Sequence, residues 1–419
     1  MSWFKYQLIN NRSNRHITKQ TFGGKMNNKI TVSLLPTTNF LRNDGTFDLN
    51  TAIRTCGRIG GICYSPEDYE KLQGEDPKKT EKRVNLTLDS GHHSLYDHVQ
   101  ISLNICNMPK ILAMVLNNEH QYTTSERSAR YTKIDTSAVS TIEAELYNKW
   151  ITILGVLIKQ RYPDRFTPSK IEKLAMENAR YFISIFVPTN LIYTVPLGQL
   201  NRIVGWLKDY LKWTEHPLCA RLTPYIKEFI EQLKMLNLLE PRLQRNEKER
   251  RLSLFATEEE KRRWEEHFSL SYSTNYYGSF ALLAQAHRHR TLDYQIFIPH
   301  EFKVFVPTIL FLFPEYMNLW LSDIEKVKEL YPQGQLVKIL EQGTLENFLL
   351  KSKERLCTNA MPEIMCRTII TLKKYCTVAQ GELQSYLSQY LGKPRCAFPD
   401  YTCLKPCGYA HEVNLSRAI

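Results

Sequence analysis

Apolar residues recur along this chain with two different spacings, and the spacing changes at turn signals. Residues 30–35, Ile-Thr-Val-Ser-Leu-Leu, read as a short strand. Asp48 stands where a cap belongs for a helix over 49–59, which the pair Gly60-Gly61 stops. Residues 96–106 alternate, placing Val99, Ile101 and Leu103 on one face of a half-buried strand. Helices are predicted over 109–117, over 142–159, and over 168–181 with Pro168 in the first turn. Two more are predicted over 200–211 and 225–239, while the charged, turn-rich residues 71–82 read as an exposed loop. Further on, 268–272 are partly apolar, and 280–286 run helically into a basic cluster. Residues 303–313 are strongly apolar, 338–375 read as mostly helical, and the tail is polar and rich in cysteine.

The sharpest break in this pattern is at 240–267. Residues 242–251 and 258–266 are dense in charge, which suits an exposed helix with i,i+4 ion pairs joining two compact parts. The expected organisation is a flexible basic extension over 1–28, a first copy over 29–239, a charged connector over 240–267, a second copy over 268–395 and a Cys-rich tail over 396–419.

Composition narrows the class. A chain of 419 residues with 43% hydrophobic content has room for two or three domains, or two copies of one, each with a core. The net charge of +12 favours anionic partners such as nucleotides, flavin phosphates, folate or nucleic acid, and equally suits a soluble enzyme that happens to be basic. With 10 Cys, no secretory core and no apolar run of 18 residues, a reduced cytoplasmic protein without a membrane span is expected.

Five clusters carry candidate chemistry. His92, His93, Asp97 and His98 enter the strand at 96–106; they lack a convincing third metal ligand, and Asp97 suits orientation of a histidine. Glu126, Ser128 and Arg130 alternate, so an extended loop would set a hydroxyl and a guanidinium on one side, able to hold a phosphate or a pyrimidine edge. Gln285, His287, Arg288, His289 and Arg290 close an apolar helix; a diphosphate satisfies such a cluster, and so does a helix C-terminus. Arg355 lies in a helical run ahead of Pro362, which interrupts or opens a helix. Cys396, Cys403, Cys407 and His411 form a possible zinc set, though their spacing matches no familiar zinc finger and ordinary thiols are the simpler reading.

Taken together, these segments resemble the flavin-dependent thymidylate synthase family. Its Cys-Tyr-Ser segment is matched by Cys63-Tyr64-Ser65, and its Gly-His-x-Ser segment by Gly91-His92-His93-Ser94, with Asp97-His98 where the family has glutamate and histidine. The tail of its main signature stands as Glu126-Arg127-Ser128-Ala129-Arg130-Tyr131, and a later Glu-x-Ala-Arg as Glu177-Asn178-Ala179-Arg180. The Arg-His-Arg head is absent from the first copy, where Asn118-Glu119-His120 stands; it appears in the second copy as Arg288-His289-Arg290, with Gln285 three residues before it. The family's late segment is matched by Arg355, Ala360, Met361, Pro362, Glu363 and Ile364, with Met361-Pro362 replacing Gln-Trp. Pro394-Arg395-Cys396 and Cys407-Gly408 resemble the tail of some members.

The resemblance implies an α/β (α+β) fold in two tandem copies, each a mixed sheet with flanking helices. It implies a composite site in which Arg288, His289 and Arg290 bind FAD, while Glu126, Ser128, Arg130, Arg180, Gln285 and Arg355 bind the nucleotide. Arg355 would stabilise charge on the uracil ring, and His92 would stack on the flavin or place a co-substrate. The implied reaction methylates dUMP to dTMP with methylenetetrahydrofolate and NADPH, uses no cysteine nucleophile, and runs in a homodimer that mimics the family's tetramer. Glu119 would disfavour a diphosphate near the first copy's loop, and Met361-Pro362 would alter a helix. Three alternatives stand beside this reading: an inactive or regulatory homologue that binds nucleotide or flavin, a flavin enzyme acting on another pyrimidine or on nucleic acid, and a plain nucleic-acid binder.

Overall fold

A computed structural model describes residues 29–128, 132–261, 264–404, 407, 415 and 417–419. In chain order the elements begin β1 (Thr31–Leu34), α1 (Leu49–Ile59), α2 (Tyr69–Gln73), α3 (Pro77–Asp89), β2 (Gln100–Pro109), α4 (Lys110–Leu116) and β3 (Thr123–Glu126). Then follow α5 (Thr141–Arg161), α6 (Pro168–Ala179), β4 (Pro188–Pro196), α7 (Leu197–Tyr210), α8 (Cys219–Met235) and α9 (Glu258–Lys261). The rest are β5 (His267–Phe268), β6 (Ser271–Ser279), α10 (Phe280–Ala286), β7 (Asp293–Phe297), α11 (Pro314–Glu325), β8 (Leu336–Thr344), α12 (Leu345–Arg355), α13 (Pro362–Val378) and α14 (Gly381–Ser388).

Local chemistry explains most boundaries. The Asp48 carboxylate accepts from Thr51 N and opens α1, which passes at Gly60 into a tighter turn, Gly60–Cys63. The expected loop at 71–82 is instead parts of two helices, because Asp68 caps α2 and Asp76 caps α3, with Pro77 in its first turn. Charge density there marks a solvated helix face. Residues 338–344 belong to β8 rather than to a helix, and the apolar run 303–313 contains only a short turn, Thr308–Leu312. Val337, Ile339 and Leu340 are buried on β8, and a strand whose two faces are both covered loses the alternation that would reveal it. Pro362 opens α13 from its first turn and interrupts nothing.

Two four-stranded sheets result, with orders β1-β2-β4-β3 and β5-β6-β8-β7. The two orders correspond strand for strand. Each long second strand leads into a seven-residue helix, α4 or α10, and each third-placed strand leads into a longer one, α7 or α12. Two similar sheets with flanking helices fit a duplicated architecture. Among the described residues all strand pairings are antiparallel, so neither sheet is mixed; a parallel bridge, Phe255 to Ile296, lies outside the named strands.

The chain divides into two compact units that interleave in sequence. One, here the first unit, holds 27–127 and 188–253; the other, the second unit, holds 128–187 and 254–419, apart from the residues left undescribed. The first unit contains the β1-β2-β4-β3 sheet. The second contains the other sheet together with α5 and α6, and in its core Trp150 stacks on Phe182 while Trp320 meets both rings edge-on. Among the described residues no helix is long and apolar enough to cross a membrane.

Candidate functional site

In the second unit, the strand-to-helix junction at Ser279 sets the position of everything after it. Ser279 caps α10 by accepting from Leu282 N, while its own N and Oγ donate to the buried Glu363 carboxylate. Tyr181 OH donates to the same carboxylate at 3.0 Å. Burial raises the Glu363 pKa despite these bonds. The glutamate of the late segment thus holds the helix that carries Gln285 and the basic triplet.

Past the end of α10, Arg288 and Arg290 are exposed and His289 is half-buried between them. Arg355, near the end of α12, is buried; its Nε donates to His289 Nε2 at 2.7 Å and its Nη2 to Gln285 O at 3.1 Å. Burial, then the charges of Arg355 and Lys351, push the His289 pKa down to about 2. A neutral imidazole with its Nε2 lone pair turned to Arg355 orients that guanidinium. Gln285 is buried too; its Oε1 accepts from Met361 N at 3.4 Å, while its Nε2 has no hydrogen-bond partner among the described residues. Arg180 of the Glu-x-Ala-Arg segment is buried with Nη2 against the Met361 sulfur. Arg180, Gln285, His289, Arg355 and Met361 are therefore linked side by side. Ser128 belongs to this unit, and Arg130 lies outside the described residues.

Behind this cluster lies a polar core that sequence reading missed. Lys351 and Glu341 form a fully buried ion pair at 2.5 Å, and Tyr272 and Tyr276 donate to the same carboxylate. Lys351 sits one turn before Arg355 on α12, a spacing visible in the sequence, but the facing Glu341 is on a strand that was read as helix.

The first unit treats the corresponding loop differently. Glu119 is fully buried, and its charge is met by Arg250 Nη2 at 2.8 Å, so it does not present bare negative charge as expected. Glu126 pairs with Lys110 at 2.5 Å, which occupies the carboxylate proposed for a nucleotide. Asp97 takes two bonds from Arg202 at 3.0 and 2.8 Å instead of orienting a histidine. His92 Nδ1 meets Tyr64 OH at 2.7 Å, joining the two short segments that resemble the family here. Asn246, Arg250 and Leu252, with Trp206 and Tyr210 of α7 and Trp213 just beyond it, line a cavity of about 420 Å³.

In the tail, Arg395 N donates to Leu356 O and the Cys407 sulfur lies 2.9 Å from Thr358 Oγ1. Burial raises the Cys396 thiol pKa, and the nearby Cys403, Cys407 and Cys357 add to the shift. No group of three or more potential ligands among the described residues is arranged to hold a metal ion; the expected ligand His411 lies outside the described residues.

Residues 48–206 match the model of the family described as thymidylate synthase complementing protein. No curated protein sequence matches the chain. Among solved structures, the chain is similar to a UMP/dUMP methylase, PolB, from Streptomyces cacaoi bound with 5-Br dUMP, at 17% identity and TM-score 0.32, over 51% of this chain and 93% of that one. It is also similar to thymidylate synthase X from Helicobacter pylori with FAD and dUMP, at 15% identity and TM-score 0.29, over 46% of this chain and 95% of that one.

Proposed function

We propose that the chain carries out flavin-dependent, thymidylate-synthase-like methylation of dUMP at one site built on the loop after α10. The observation that carries this reading is the held guanidinium of Arg355, fixed by neutral His289 and by Gln285 O between two exposed arginines. The donor set fits a diphosphate-bearing flavin through two surface guanidinia, and the buried amide donor of Gln285 suits the nucleotide. Arg288 and Arg290 would hold the flavin phosphates. When bound, FAD supplies the redox and one-carbon chemistry, with NADPH and methylenetetrahydrofolate as co-substrates. Arg355 orients the pyrimidine and stabilises negative charge on its ring oxygen, and Ser128, Arg130 and Arg180 complete the nucleotide side. A second reading, a ligand-binding homologue without turnover, is favoured by the loss of both arginines from 118–120.

The test is the absorbance spectrum of the purified chain after adding FAD, with dUMP titrated in. Flavin bands that shift with dUMP, followed by dTMP formation on adding methylenetetrahydrofolate and NADPH, are the expected results. A flavin shift without dTMP selects the second reading, and no bound flavin at saturating FAD overturns the enzyme reading and leaves only a homologue that binds nucleotide.

A further inference from the structure

The loops 118–120 and 288–290 hold corresponding places. Each follows the seven-residue helix at the end of the long second strand of its sheet, and Glu119 and His289 each stand three residues past that helix. In the second unit the partner of this residue is Arg355, from the helix after the third-placed strand. In the first unit the partner is also a guanidinium, but the connector delivers it: Arg250 lies 2.8 Å from Glu119 Oε2 and 3.8 Å above the ring of Trp206 on α7. We propose that residues 246–253 are an internal ligand of the first unit, with Arg250 filling its ligand loop from within, so that the chain keeps one open ligand loop and not two.

Several bonds fit the connector to this place. Ser253 N donates to Glu119 Oε1 at 2.6 Å, and Ser253 Oγ donates to Asn118 O or Glu119 Oε1 at 3.0 Å. Asn118 Nδ2 donates to Ser253 Oγ at 2.8 Å. Two of the three residues at 118–120 therefore grip the connector. Upstream, Asn246 Nδ2 donates to Asp209 Oδ2 at 2.8 Å, and Arg250 N donates to Asn246 Oδ1 at 3.0 Å. The backbone arrives flush on α7, because a Cβ on Gly205 would stand 2.3 Å from Gln244 O. The loop thus presents a carboxylate to an arginine of its own chain, where the loop after α10 presents guanidinia. A carboxylate in place of a guanidinium inverts the charge the loop selects.

Amide hydrogen exchange on the full chain tests this without any ligand. The N–H groups of Arg250 and Ser253 are expected to exchange at least 100-fold slower than an unprotected peptide. Arg250→Ala is expected to speed exchange tenfold or more across 246–253 while leaving β2 and β4 unchanged. Adding Glu119→Gln to that variant is expected to cause little further change, since the pair acts as one unit. Unprotected amides at 250 and 253 in the unaltered chain would overturn the proposal, and so would an Arg250→Ala variant whose connector stays as protected as before. The count of one open loop rests on the proposed flavin reading and is measured separately, as moles of FAD bound at saturation. One per chain is expected and two would overturn the proposal. If no FAD binds, the flavin reading fails and hydrogen exchange alone decides whether the connector fills the loop.

Discussion

The two loops past α4 and α10 have the same position in their sheets and opposite chemistry. Asn118-Glu119-His120 turns inward: Glu119 is fully buried and committed to Arg250 and Ser253. Arg288-His289-Arg290 leaves its two arginines exposed, and its half-buried histidine anchors Arg355. One topology therefore supports both a closed structural joint and an open, cationic surface. The sign of a few side chains decides which of the two is built.

The largest effect is expected in the second unit. Lys351→Ala would leave Glu341 charged and buried with only two tyrosines, costing about 3–5 kcal/mol. Chemical denaturation should show that loss; no change would mean the pair is not what holds α12 to β8.

A pH effect of similar size belongs to the first unit. Burial lowers the His216 pKa to about 4 from 6.5, so its neutral form is the folded one. Its contribution is complete above pH 6.5 and is lost as pH falls toward 4, about 3 kcal/mol in all. His216→Gln should flatten the slope of stability against pH in that window. His289 acts with the same sign and extends the loss to lower pH, toward about 2.

Arg250→Ala should cost about 2–3 kcal/mol, less than the loss of Lys351, because Arg250 is partly in water. Equal losses would mean that exposure does not separate the two pairs. The smallest effect is Gly205→Ala, about 1–2 kcal/mol, as the new methyl pushes Gln244 off α7. A shift in the denaturation midpoint at unchanged slope would read it out.

Much of this was legible in the sequence where short-range rules apply. Asp48 and the glycine pair bounded α1, and the apolar run 280–286 matched α10 residue for residue. Charge misled at 71–82, where Asp68 and Asp76 are caps, and again at the connector, where the expected exposed helix is mostly an irregular strap with Leu252, Leu254 and Phe255 buried. The compact units also do not follow the sequence copies, because 128–187 join 254–419. The likeness of segments along a chain carries no record of which ones pack together. The triplet and Arg355 could be named from motifs, but the bond from Arg355 to His289 spans 66 positions and comes only from the fold. Arg250 drew no notice because one arginine among many in a charged run has no distinguishing spacing.

The most direct measurement of the central claim is FAD binding with dUMP titrated in, made on the unaltered chain and on Arg288→Ala and Arg290→Ala. The account predicts flavin bands that shift with dUMP, and an affinity for FAD about tenfold or more weaker in each variant. Absence of flavin at saturating FAD, or variants that bind it as well as the unaltered chain, would contradict a ligand site on the loop after α10.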